Sequence, residues 1–412
     1  MTQLMNHAMP DLRPEEKLLL HLCIPFSGIA ADGKERICVQ GDKESALICM
    51  ELVRKVENWD NFLKIANEHG VIALCRHNLN SLGCEGELPG NVSGKLRSGY
   101  LKSLTRNTFL DDLLKEVTDL ASGERIKIVL LKGQALEKTV YGNRGLRQMN
   151  DIDILVGKGN AIRLRKILLE NGFRSIPMIS PLHEKILPSY GKHLPELIKK
   201  DVAVEIHIKL FSEKANSLTE EMISTAVKIP GYQDGVSCPE PLLSFLYLVK
   251  HLDWHEKNGN SQLRLYADLL IMLKNFRNEI LNERLFEYAG AAGLRPALEE
   301  KLYILMKWWN LDLGKYSGII SGNTDPMKAD KQFRNFLGNP DFNLSAARPE
   351  SLLSPMKEFT LLSHKLYFIA GYLFPSISFM KYRYNIKGTA AAMAYYPVRW
   401  LKLAGLISRG KL

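Results

Sequence analysis

Over the first third of the chain, apolar residues recur at helical spacing. The clearest run is Leu96, Tyr100, Leu104, Phe109, Leu113, Val117 and Leu120, with Asp111, Asp112 and Glu116 between them, which predicts an amphipathic helix. The apolar patch Leu18–Leu22 follows acidic residues and is interrupted by His21, so it reads as a helix and not as a signal peptide. Residues 1–122 are expected to form a helical N-terminal lobe.

The period changes at Arg125. Ile126–Leu131 is a β-rich run ending at Gly133, Gln134–Val140 a short helix, and Tyr141–Asn150 a polar loop carrying Arg144 and Arg147. Asp151–Val156 is a second strand, followed by a helix from Asn160 to Glu170 that stops at Asn171-Gly172. A Pro-marked loop with His183 and His193 leads to a further strand, Val202–Ile208. Strands around a helix predict an α+β core over 123–238. Helical spacing returns in Leu242–His255, Gln262–Leu273 and Pro296–Trp309, a helical domain over 239–320. The Gly, Asn and Pro content of 321–355 predicts a linker or long loop, and 356–412 a basic helical C-terminal region. The expected fold class is α+β: a central mixed β-sheet flanked by N-terminal and C-terminal helical lobes.

The 412 residues, 46% hydrophobic and 24% charged, suit a globular protein. No apolar run approaches the roughly 18 residues of a membrane-spanning helix, so no integral membrane segment is expected. Six cysteines without a CxxC pair predict reduced, buried thiols and a cytoplasmic location. The net charge of +10 points to an anionic partner, with nucleotide, nucleic acid, phosphorylated metabolite and membrane surface all open. Residues 359–412 carry eight lysines and arginines among many aromatics and no acidic residue, which leaves RNA binding, acidic lipid binding and plain packing open for that region.

Candidate chemistry centres on Asp151-Ile152-Asp153. Alternation along a strand puts both aspartates on one face and Ile152 and Ile154 in the core. Two like charges side by side are unfavourable unless a cation neutralises them, and oxygen ligands suit magnesium or manganese. A chain this long contains about one Asp-x-Asp by chance, so the context matters. The pair opens an apolar strand, follows a strand that ends in glycine, and precedes a strand with a lone carboxylate, Glu205, between Val204 and Ile206. His207 faces the same way as Glu205. His251 and His255, one helical turn apart, lack a third metal ligand and read as structural, and Arg264 and Asp268 read as a supporting i,i+4 ion pair.

Leu131-Lys132-Gly133, Tyr141, Arg147, Asp151–Val156 and Val204-Glu205-Ile206-His207 resemble the uncharacterised bacterial nucleotidyltransferase family of the polymerase-β-type nucleotidyltransferase superfamily. His251–His255 and Leu263–Asp268 are similar to that family's helical segment, and the resemblance runs from about Ile65 to the late three-hundreds. It implies that Asp151, Asp153 and Glu205 are catalytic and hold magnesium or manganese ions. It also implies that backbone amides at Gly133 approach a triphosphate, with Lys132, Gln134, Arg144 and Arg147 on the nucleotide side. His193 and His207 fall on the acceptor side. Gln134 stands where a Gly or Ser usually helps hold the triphosphate, and the gap from Gly133 to Asp151 is longer than the superfamily's usual one. The expected activity is transfer of a nucleoside monophosphate from a nucleoside triphosphate to an unidentified acceptor: a small molecule, a peptide or protein, or RNA. The alternatives are a nucleotide-binding regulator without turnover and an RNA-binding protein using the basic C-terminal region.

Overall fold

The computed structural model describes residues 12–24, 27–29, 35–37, 42–232, 234–338, 356, 359 and 361–408. The N-terminal lobe contains α1 (Pro14–Leu22), a small antiparallel pair β1 (Ser27–Ile29) and β2 (Glu35–Ile37), then α2 (Asp42–Lys55), α3 (Trp59–Glu68), α4 (Ile72–Ser81) and the 34-residue α5 (Gly90–Gly123). The central unit follows: β3 (Ile128–Leu130), α6 (Lys132–Leu136) running into a π-helical turn over Glu137–Tyr141, β4 (Asp151–Leu155), α7 (Lys158–Glu170), β5 (Arg174–Ser175), α8 (Pro181–Tyr190), β6 (Leu197–Lys199), β7 (Val202–His207), α9 (Asn216–Ser224), β8 (Val227–Lys228) and β9 (Val236–Cys238).

Its seven strands lie in the order β5-β6-β7-β4-β3-β9-β8. β4 runs parallel to β7 and β3 parallel to β9, while the other neighbours are antiparallel, so the sheet is mixed. Ile152, Ile154, Val204 and Ile206 are buried beneath it against Leu113, Leu164 and Leu168 of α5 and α7. The protein is thus α+β, a mixed seven-stranded sheet packed against helices.

Helices α10 (Pro241–Lys257), α11 (Leu263–Ile280), α12 (Glu283–Ala291), α13 (Arg295–Trp309), α14 (Ser317–Asn323) and α15 (Pro326–Gly338) follow. They share one continuous core with the N-terminal lobe, which joins Leu18, Leu22 and Phe62 to Leu246, Trp309 and Phe333. Trp309 Nε1 donates to the carbonyl of Leu20 at 3.0 Å, and His69 Nε2 donates to that of Leu337 at 3.1 Å.

Two segments expected as loops are helical. In α8, Ser180 accepts a hydrogen bond from the His183 amide and Pro181 occupies the first turn, both favourable helix starts. Within 321–355, α14 reaches Asn323 and α15 buries Phe333 and Phe336 against Trp308 and Tyr266, while 339–355 lie outside the described residues. The C-terminal region forms α16 (Leu362–Leu373), α17 (Ile377–Tyr384), α18 (Thr389–Ala394) and α19 (Tyr396–Ser408). The five described cysteines are buried and unbridged, and no described helix is long and apolar enough to cross a membrane. Cys38 lies outside the described residues.

Candidate active site

Register brings the carboxylates together. In the parallel pair β4/β7, Asp153 lies opposite Glu205 and Asp151 opposite Ala203. One ligand atom from each of Asp153, Glu205 and His207 falls within 4.8 Å of the other two. The strand alternation that sends Ile152, Ile154, Val204 and Ile206 inward sends these polar residues to the other face.

Asp153 is buried and accepts hydrogen bonds from Lys132 Nζ and His207 Nε2, both at 2.7 Å. Burial alone would raise its pKa, yet the charges and hydrogen bonds of Lys132 and His207 hold it well below the usual carboxylate range. Glu205 lies 3.3 Å from His207 Nε2 and is held down chiefly by that contact. His207 would be lowered by burial, but its bonds to Asp153 and Glu205 raise it. Asp151 behaves oppositely: burial and then the charge of Asp153 push its carboxyl up.

Lys132 reaches Asp153 from an unusual backbone. Its φ is +45°, a left-handed conformation unfavourable by roughly 1–2 kcal/mol for a residue with a Cβ. A Cβ at the next residue, Gly133, would collide with Arg147 Nη1 and Met149 Sδ, so packing requires glycine there. Gln134 is buried, and both of its side-chain amide atoms lack a partner.

A cleft of about 540 Å³ opens over the carboxylates. Lys132, Asp151, His193, Glu205 and His207, all candidates from the sequence, line it. His193 forms an isolated antiparallel bridge with His207, their rings 5.6 Å apart. The buried Asp153 is not among the cleft's lining residues, nor are Gly133, Gln134, Arg144 and Arg147. Arg144 pairs with Asp111 at 2.8 Å, and the buried Arg147 forks onto Asp268. Asp268 therefore pairs with Arg147 and not with Arg264, which donates to the Gln148 carbonyl and to Gln262 Oε1.

The opposite wall was not read from the sequence as part of the site. Tyr247, Lys250, His251 and Trp254, on one face of α10, complete it together with Lys192, Lys209, His255 and Asn260. Their helical spacing i, i+3, i+4, i+7 was the available signal. His251 and His255 have ring centroids 4.3 Å apart, and burial drives His251 well below the ordinary histidine pKa.

A divalent ion fits this donor set. Carboxylate oxygens dominate it, and Asp153 and Glu205 are both held below the usual carboxylate range and so ionised.

Residues 55–310 match the family described as "Uncharacterised nucleotidyltransferase". No curated protein matches. Among solved structures, a crystal structure of ANT(2")-Ia in complex with adenylyl-2"-tobramycin is 12% identical at a TM-score of 0.30, over 45% of this chain and 97% of that one. A solution structure of the antibiotic-resistance factor ANT(2'')-Ia is 15% identical at a TM-score of 0.31, over 50% of this chain and 98% of that one.

Proposed function

Since the chain belongs to the uncharacterised nucleotidyltransferase family, we propose that it transfers a nucleoside monophosphate from a nucleoside triphosphate to an acceptor at the cleft above β4 and β7. The observation that carries this reading is the placement of Asp153 opposite Glu205, with Asp151 on the same face of β4.

In the proposed reaction an acceptor oxygen or nitrogen attacks the α-phosphorus, the bond from that phosphorus to the α,β-bridging oxygen breaks, and pyrophosphate leaves. Asp151, Asp153 and Glu205 would hold magnesium or manganese, which when bound supplies charge neutralisation for the attacking and leaving oxygens. Lys132 presents its ammonium at the cleft and binds a phosphate oxygen. Exposed Lys192 adds positive charge on the rim. Glu205, ionised and half-buried at the cleft, accepts the proton the acceptor loses, with His207 behind it. Arg147, tied to Asp268, positions the loop that leads into Asp151.

The test is incubation of the purified chain with each α-labelled nucleoside triphosphate, magnesium and cell extract, following labelled product and pyrophosphate. A labelled product that disappears with Asp151→Asn/Asp153→Asn is expected. Pyrophosphate release and labelling no higher than in that double variant, for every nucleotide, would overturn the reading.

A further inference from the structure

Among the described residues, the C-terminal helices leave an apolar stripe exposed. On α16, Leu362, Leu366, Ile369 and Leu373 recur at i, i+4, i+7 and i+11 and so share a face. With Phe374 and Leu401 they are between 40% and 75% exposed. The other face of α16 is docked: Phe368 is buried with its ring 4.9 Å from that of His183 on α8, and Gly371 sits so close that a Cβ would collide with His183 Nδ1 and Ser180 Oγ. The stripe therefore points away from the body of the protein.

The stripe is held rigid. Trp400 Nε1 on α19 donates to the Leu373 carbonyl at 2.7 Å, and its ring meets Phe374 at 5.8 Å. Arg399 is buried and donates to the carbonyl of Tyr372 at 3.0 Å and to Tyr384 Oη at 2.9 Å. An ordered aliphatic ridge of this kind is not the usual surface of a solitary soluble domain.

Charge selects the occupant. Residues 359–412 contain eight lysines and arginines and no aspartate or glutamate. Arg383, Lys387 and Lys402 are exposed, the last adjoining Leu401. We propose that this ridge docks the protein on an anionic lipid surface, the aliphatic side chains entering the headgroup boundary and the cations meeting the lipid phosphates. A second copy of the chain would bring its own cations against these and is disfavoured. A single-stranded nucleic acid would need stacking platforms, yet Tyr384 and Tyr395 pack against each other, tilted at 45° with centroids 4.7 Å apart and Lys402 over both rings, and although Phe374, Tyr382 and Trp400 are exposed the outward stripe of α16 is aliphatic. No described helix is both long and apolar enough to cross a membrane, so the attachment proposed is peripheral. This inference stands independently of the catalytic reading.

The test is flotation of the full chain with vesicles of phosphatidylcholine alone and with phosphatidylglycerol added. The expected result is binding at least about tenfold stronger to the anionic vesicles, weakened by salt. It should be lost in Leu366→Asp/Leu401→Asp and reduced in Arg383→Glu/Lys387→Glu. These positions are exposed, so circular dichroism should remain that of the parent. Equal binding to both vesicle types, no binding, retention by the Leu366→Asp/Leu401→Asp variant, a dimer dissolved by that variant without vesicle binding, or displacement from vesicles by single-stranded RNA would each overturn the proposal.

Discussion

Arg147 donates from Nε and Nη2 to the two carboxylate oxygens of Asp268, at 2.8 and 2.7 Å, and both side chains are removed from solvent. The fork joins the loop before β4 to α11, and Tyr141 Oη donates to the same carboxylate at 2.9 Å. Asn107 of α5 braces that loop from the other side through the Arg147 carbonyl at 2.7 Å. Asp151 thus begins its strand from a clamped segment.

Removing one partner of a buried pair strands the other charge, which destabilises by about 3–5 kcal/mol. Asp268→Ala is therefore expected to lose about that much in urea unfolding, and Arg147→Met/Asp268→Leu to recover most of it. Were Arg147 a phosphate contact instead, Arg147→Ala would weaken nucleotide binding and leave the unfolding midpoint where it was.

His69 ties three helices together and predicts an acid limit. Its Nδ1 accepts from the Leu263 amide at 3.2 Å, leaving Nε2–H to donate to the Leu337 carbonyl, so the neutral ring fits and the charged one loses a bond. Burial brings its pKa down to about 4 from the ordinary 6.5. A lowered histidine pKa means that the unfolded chain binds the proton more readily. Stability is therefore complete above the ordinary value and is lost as pH falls from there toward 4. Near pH 5 the loss amounts to about 2 kcal/mol. His183, also held near 4, adds a similar slope. The specific check is that His69→Gln, less stable than the parent at neutral pH, shows a smaller drop in stability between pH 7 and pH 5. An unchanged drop would remove His69 as its source.

The carboxylates were legible in the sequence because a charge inside an apolar strand is conspicuous. Asp151, Asp153 and Glu205 broke the pattern of β4 and β7, and strand periodicity fixed their common face. The Arg147–Asp268 pair was not legible because the partners lie 121 positions apart, and no local pattern distinguishes a loop arginine bound for a phosphate from one bound for a buried aspartate. The α10 wall was hidden for a similar reason: Tyr247 and Trp254 look like core residues until the sheet is folded against them. Helices α8 and α15 were missed by weighting proline as a breaker, although Pro181 and Pro326 sit in first turns where proline is compatible with a helix.

The C-terminal helices depend on close approach at Gly371. Gly371→Ala places a methyl against His183 and Ser180 and should lift α16 from α8. Faster amide exchange and protease cleavage confined to 361–408 are expected, with the sheet as protected as before. If exchange over α16 is unchanged, the helix is held by its other contacts.

Asp151 and Asp153, two residues apart on one strand face, should respond in opposite ways to the same substitution. Asp151 is raised by burial and by Asp153, so the folded protein holds its charge less favourably than water does, and Asp151→Asn should leave the metal-free melting temperature unchanged or higher. Asp153 is bonded to Lys132 and His207, and Asp153→Asn leaves the nearly buried lysine without its counter-charge, at about 2–4 kcal/mol. Both variants should lose the rise in melting temperature that magnesium or manganese with a triphosphate gives the parent, since a ligand stabilises only the state that binds it. Thermal melts of the parent and both variants, with and without metal and nucleotide, measure all of this. Equal destabilisation by the two substitutions would contradict the charge distribution derived for the site, and a full metal response in Asp151→Asn would take that residue out of the ligand set.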